Sequence, residues 1–144
     1  MKNKPIVMMS DHGGFELKEK LKAWLLSSGF RVDDIGTNSA EAVDYPCLAK
    51  KAVKLVLHHD TYGIFVCGAG VGVSIVANRH KGIRAVLADK DVIVQLSRQH
   101  NDCNVLCLGG RFVEFEQAKK LVQIFIETGA LGEQHARRVL AIDN

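Results

Sequence analysis

The 144 residues are enough for one domain and no more, and 47% hydrophobic with 24% charged residues excludes a disordered or collagen-like chain. Nineteen Lys and Arg against sixteen Asp and Glu leave a net charge of +3, too small and too scattered to argue for a nucleic-acid partner. Four cysteines (Cys47, Cys67, Cys103, Cys107) do not make a disulfide framework in a chain of this size, and no run approaches the roughly 18 apolar residues of a membrane span. The apolar run at 6–9 is also too short for a signal peptide, so a reducing cytoplasm is the expected location.

In chain order, residues 6–9 predict a first strand. A helix follows over 15–28, with Leu17, Leu21, Trp24 and Leu25 on one face and Lys18, Glu19, Lys20 and Lys22 turned outward, and Gly29 ends it. Residues 30–35 predict a second strand, weakened by Asp33 and Asp34. The polar loop Gly36-Thr37-Asn38-Ser39 leads to Asp44-Tyr45-Pro46, where proline suits the first turn of a helix over 47–58. A third strand is expected at 63–67, then a glycine-rich turn and a short helix over 74–79. A fourth strand at 84–88 precedes a helix over 92–98, and a fifth at 105–108 precedes the strongly periodic helix 114–128. Gly129 and Gly132 separate it from a last helix over 133–142.

Strands alternating with helices predict a parallel sheet covered on both faces: a single doubly wound, Rossmann-like α/β domain spanning 1–144, a three-layer sandwich around five strands. Ligands in such folds sit beyond the carboxyl ends of the strands, so those ends are where chemistry is expected. After the first strand, Ser10 or Asp11 can cap the next helix, and His12 lies at the ligand rim. After the third, Cys67-Gly68-Ala69-Gly70-Val71-Gly72-Val73-Ser74 sets three alternate glycines before a helix N-terminus, an anion cradle of backbone N–H groups. Val73 occupies the third-glycine position of a dinucleotide fingerprint and no Gly-Lys-Ser/Thr follows, which disfavours a nicotinamide or ATP enzyme.

Cys67 closes its strand before that helix turn, where a thiolate is favoured as base or nucleophile; its plainer role is an inert core thiol. Before the fifth strand come Ser97-Arg98-Gln99-His100-Asn101-Asp102. An imidazole at a helix C-terminus suits a general acid, and Asn101 can donate to an oxyanion; the plainer reading is a polar capping stretch. Cys103 and Cys107 with His100 have metal-like spacing, but strand alternation turns Val105 to the same face as both cysteines and no fourth ligand is evident, so no metal is expected. Arg111 follows the fifth strand, and Gln134 and Arg138 stand one helical turn apart in the tail. An arginine fork suits a phosphate dianion.

Together SDHGGFELK, DYP, FVCGAGVGVSIVANR, GIRA, SRQHNDCNVLCLGGR and HARRV resemble the ribose-5-phosphate isomerase B family, which includes galactose- and allose-phosphate isomerases. The resemblance implies interconversion of ribose 5-phosphate and ribulose 5-phosphate through a cis-enediolate without metal or cofactor. It also implies a dimer with shared sites, often assembled as a tetramer, with the last helix at the dimer interface. Cys67 would be the base and His100 would assist ring opening. Asn101 would hold the enediolate, and Gly68, Ala69, Gly70, Val71 and Gly72, with Ser74 in the same motif, would form the cradle. Asp11 and His12 would contact the sugar, Asp44 and Tyr45 would line the pocket, and His12, Arg111 and Arg138 would serve the phosphate end. Some relatives use a Glu at the position of Val73, so this chain must rely on Cys67. Ala69 stands where relatives often carry Ser or Thr, and Gln134 where many carry arginine. The alternatives are a six-carbon aldose phosphate as substrate, a sugar-phosphate-binding regulator without catalysis, and, last, a thiol-redox protein.

Overall fold

A computed structural model describes residues 2–38, 41 and 44–144; Ser39 of the polar loop lies outside them. The strands are β1 (Ile6–Ser10), β2 (Val32–Asp34), β3 (Gly63–Cys67), β4 (Ala85–Leu87) and β5 (Val105–Gly109). The helices are α1 (Phe15–Ser27), α2 (Tyr45–His59), α3 (Val71–Asn78), α4 (Asp91–Asn101), α5 (Phe115–Glu127) and α6 (Gln134–Ile142), and a 3₁₀ turn (His12–Gly14) lies between β1 and α1. All strands run parallel in the order β2-β1-β3-β5-β4. The three central strands are buried along their whole length, as continuous apolar runs require when both sheet faces are covered.

Strand alternation divides the core. Ile6, Met8, Ile64, Val66, Leu106 and Leu108 face α1, α4 and α5. Val7, Met9, Phe65, Cys67, Val105 and Cys107 face α2 and α3. The chain leaves β1 toward β2 on one side and returns to β3 on the other, so the crevice of a doubly wound sheet opens where the carboxyl ends of β1 and β3 lie together.

Several local expectations are corrected. The outer strands β2 and β4 are shorter than 30–35 and 84–88, because each has one neighbour to pair with. Helix α3 begins at Val71 rather than 74, since Gly70 takes a positive φ of 81° that turns the chain directly out of the strand-end loop. Lys18 does not face solvent. It is 0% exposed and its ammonium donates to both Asp34 carboxylate oxygens and the Thr37 carbonyl, each at 2.8 Å. Cys103 packs in the α1–α5 layer, opposite Val105 and Cys107. It precedes β5, beyond the left-handed residue Asp102, so strand alternation does not extend to it.

At the outer edge of β4, Asn78 at the end of α3 pairs with one backbone unit. Its amide donates to the Ala85 carbonyl at 2.9 Å and its side-chain oxygen accepts the Ala85 N–H at 2.7 Å.

Candidate active site

Three loops meet above β1, β3 and β5. The register sets Ser10 beside Val66 and Cys67 beside Gly109. Past the strand ends, the Asp11 N–H donates to the Val66 carbonyl at 3.2 Å, the Gly110 N–H to Cys67 at 2.7 Å and the Arg111 N–H to Gly68 at 3.1 Å. Cys67 is 5% exposed, and the Gly70 N–H donates to its sulfur at 3.1 Å. The loop from Gly68 to Gly72 then runs into α3, whose N-terminus has no side-chain cap. Its first N–H groups are free to meet an anion.

The neighbouring residues are positioned by close packing on this loop. The Arg111 guanidinium lies over Gly68, where an added Cβ would stand 3.1 Å from Nη1. The half-buried Tyr45 ring lies on Gly72, where a Cβ would come within 2.6 Å of it. Asp11 is buried and accepts the Gly14 N–H at 3.1 Å, which caps the 3₁₀ turn. His12 has its Nδ1 buried without a hydrogen-bond partner, as does the hydroxyl of Ser10. The Ser74 hydroxyl donates back to the Val71 carbonyl at 2.7 Å. Ala69 and Asp44 are exposed at the rim.

Burial pushes the Cys103 and Cys107 thiols upward, which keeps both neutral at physiological pH. They sit on opposite faces of the sheet, and among the described residues no three His, Cys, Asp or Glu side chains are grouped to hold a metal ion.

His100 and Asn101 are not beside Cys67. Helix α4 runs back along the sheet and delivers them to the start of β5, where Val105 pairs with Gly63. Cys67 is at the far end of β3, roughly 13 Å along the strand direction. Around His100 a second cluster forms. The His135 ring stacks on it, with centroids 4.3 Å apart and planes 5° from parallel, and the Leu131 N–H donates to the Gln99 carbonyl at 2.9 Å. Gln134 and Arg138 are exposed on α6, which packs against α4.

One chain therefore gathers the expected site residues into two clusters at opposite ends of its parallel strands: the 68–72 loop with Cys67, Asp11, His12, Tyr45 and Arg111 at one, and His100, Asn101, Gln134 and Arg138 at the other. Sequence reasoning missed His135 as a partner of His100. Its signal was its place inside HARRV, one residue after Gln134. The buried Arg98, within the same motif as His100, was also passed over.

The chain matches the family described as Ribose/Galactose Isomerase over residues 6–142. It is 44% identical to ribose-5-phosphate isomerase B of Escherichia coli (strain K12), across 96% of this chain and 94% of that one. The crystal structure of a ribose 5-phosphate isomerase from Thermotoga maritima superposes with a TM-score of 0.94 at 46% identity, covering 97% of each chain. The Mycoplasma genitalium ribose-5-phosphate isomerase B with bound ribulose-5-phosphate superposes with a TM-score of 0.91 at 38% identity, covering 96% of this chain and 93% of that one.

Proposed function

The chain belongs to the ribose/galactose isomerase family, and on that premise we propose that it interconverts D-ribose 5-phosphate and D-ribulose 5-phosphate. The observation that carries the reading is the Cys67 sulfur at the mouth of the 68–72 loop, in contact with the Gly70 N–H at 3.1 Å. Aldose–ketose isomerisation needs a base that takes a proton from C2 and returns it to C1, and donors that meet the oxyanion formed between those steps. Cys67 is that base. The 68–72 N–H groups and the Asn101 amide hold the cis-enediolate, and His100 moves the proton that opens the furanose. His12, Arg111 and Arg138 take the phosphate end, and Asp11, Asp44 and Tyr45 bound the sugar.

The working site is composite. Cys67 and His100 of one chain lie at opposite ends of their parallel strands, so each chain carries two half-sites, and a homodimer in which each copy lends its His100 end to the other's Cys67 loop brings them together. Exposed apolar side chains at both strand ends support this. Val71, Ile75 and Phe112 flank the loop, and Leu96, Leu131 and Leu140 flank His100.

The test is ribulose 5-phosphate formation from ribose 5-phosphate in the presence of EDTA, with Cys67→Ala alongside. Activity that resists EDTA and falls about a thousandfold in the variant is the expected outcome. Retained activity in Cys67→Ala would remove the thiol as base. A far higher kcat/KM on a hexose phosphate would change the substrate, and binding without exchange of the C2 proton into solvent would indicate a regulator.

A further inference from the structure

Two residues before His100, Arg98 enters the protein interior and is 3% exposed. Its Nη1 donates to the Asp102 carboxylate at 2.8 Å and to the Cys103 carbonyl at 2.6 Å. Its Nη2 donates to the Tyr62 hydroxyl at 2.7 Å and its Nε to the Thr128 carbonyl at 3.1 Å. The guanidinium lies over the rings of Tyr62 and Phe125, 4.7 and 5.6 Å from their centroids. Arg84 closes on the same turn from outside, its Nε donating to the Asn101 and Asp102 carbonyls at 3.0 Å each.

The turn these groups hold is unusual. Asp102 takes φ 46°, the left-handed position where glycine commonly ends a helix. The Cys103 N–H donates to Ser97 at 3.1 Å and the Asp102 N–H to Arg98 at 3.2 Å, so the helix end is fully engaged. His100 and Asn101 are the last two residues before that turn. Thr128 ends α5 and starts the segment that carries Gln134, His135 and Arg138. One guanidinium thus ties together both segments of the second half-site.

Packing alone does not call for an arginine here. An apolar side chain of similar length would fill the space over Tyr62 and Phe125 without burying a charge, and such replacements are often neutral or stabilising. What an apolar residue cannot do is fix four acceptors on three segments in one geometry.

We propose that Arg98 is a positioning residue for the reaction: it never touches substrate, and it sets the placement of His100 against a partner copy's Cys67. The proposal rests on the reading of His100 given above. It is tested by kcat and KM for ribose 5-phosphate in Arg98→Met, Arg98→Lys, His100→Ala and the double variant Arg98→Met/His100→Ala, assayed well below their thermal transitions.

Arg98→Met is expected to lower kcat by about tenfold or more, with KM within about threefold of the parent. In the His100→Ala background the same change should remove less than about threefold more, because its effect runs through a residue already gone. Arg98→Lys keeps the charge on a single donor nitrogen without the planar fork and should fall between; it carries the test if the methionine variant does not fold. A loss that merely reflects stability would multiply in the double variant, and that result overturns the proposal. So does a parental kcat in Arg98→Met while His100→Ala is impaired. A parental kcat in His100→Ala would overturn the site reading together with this proposal, which separates the two failures.

Discussion

At the scale of single residues, the chemistry depends on what each side chain is pressed against. The place of Cys67 was legible in the sequence because its surroundings are local: a strand end, a glycine and a helix start follow one another in the chain. Gln134 is equally local. It stands exposed on α6, one turn from Arg138, at a position where the family resemblance points to arginine. Gln134→Arg should add a charge-assisted hydrogen bond to the phosphate, worth about 1.5–3 kcal/mol, and so lower KM for ribose 5-phosphate by about tenfold or more with kcat unchanged. Steady-state kinetics with the phosphorylated sugar checks this; an unchanged KM would take position 134 out of the phosphate site. His135 and Arg98 were not legible in this way, because the His100 ring against His135, and Tyr62 and Thr128 around Arg98, come from other elements. His135 meets His100 only once α6 has packed on α4.

Among elements, the clearest discrepancy lies between α1 and β2. A run of lysines beside an apolar stripe reads as a solvated helix face, yet Lys18 is buried against Asp34, and Lys22 adds a second contact at 3.0 Å. Nothing in the α1 pattern marks which lysine turns inward, since its anion arrives from a strand sixteen residues later. Removing the ammonium leaves the Asp34 carboxylate with Lys22 and the Gly36 N–H as its remaining partners, so Lys18→Met should lose about 1.5–3 kcal/mol in urea unfolding. Burial alone would raise the Asp34 carboxyl, but hydrogen bonds from Lys18, Lys22 and the Gly36 N–H outweigh it and hold the group below the ordinary carboxylate range. A carboxyl lowered on folding stabilises fully above its unfolded value, and that stabilisation is lost as pH falls through the folded one. Below about pH 4 the Tm of the parent should therefore drop more steeply than that of Asp34→Asn, and parallel slopes would show that the cluster carries no such linkage. The strands and helices themselves were readable because apolar runs and helical periods are properties of contiguous sequence. Strand ends at the sheet margins were not, because they stop where the neighbour stops.

For the molecule as a whole, the order β2-β1-β3-β5-β4 was beyond sequence reasoning, which gives the elements but not which strands become neighbours. Within it, the parallel course of β3 and β5 sets Cys67 and His100 at opposite strand ends, so the proposed site makes a specific demand on assembly. If sites are shared between two copies, Cys67→Ala and His100→Ala proteins are each inactive, yet a hybrid of the two contains one intact site. Unfolding and refolding them together in equal amounts should recover about a quarter of the parental rate; no recovery, with hybrids demonstrated by mass, would place the whole site in one chain. A molecule that shares sites with its own copies must meet them without polymerising, and the amide of Asn78 bears on this. By occupying the Ala85 N–H and carbonyl at the outer edge of β4, it sits where the backbone of a sixth strand would attach. Extension of the sheet from one molecule into the next must first displace it. Association is thereby directed to side-chain surfaces, which can close on themselves in finite assemblies, and away from a ribbon that has no natural end.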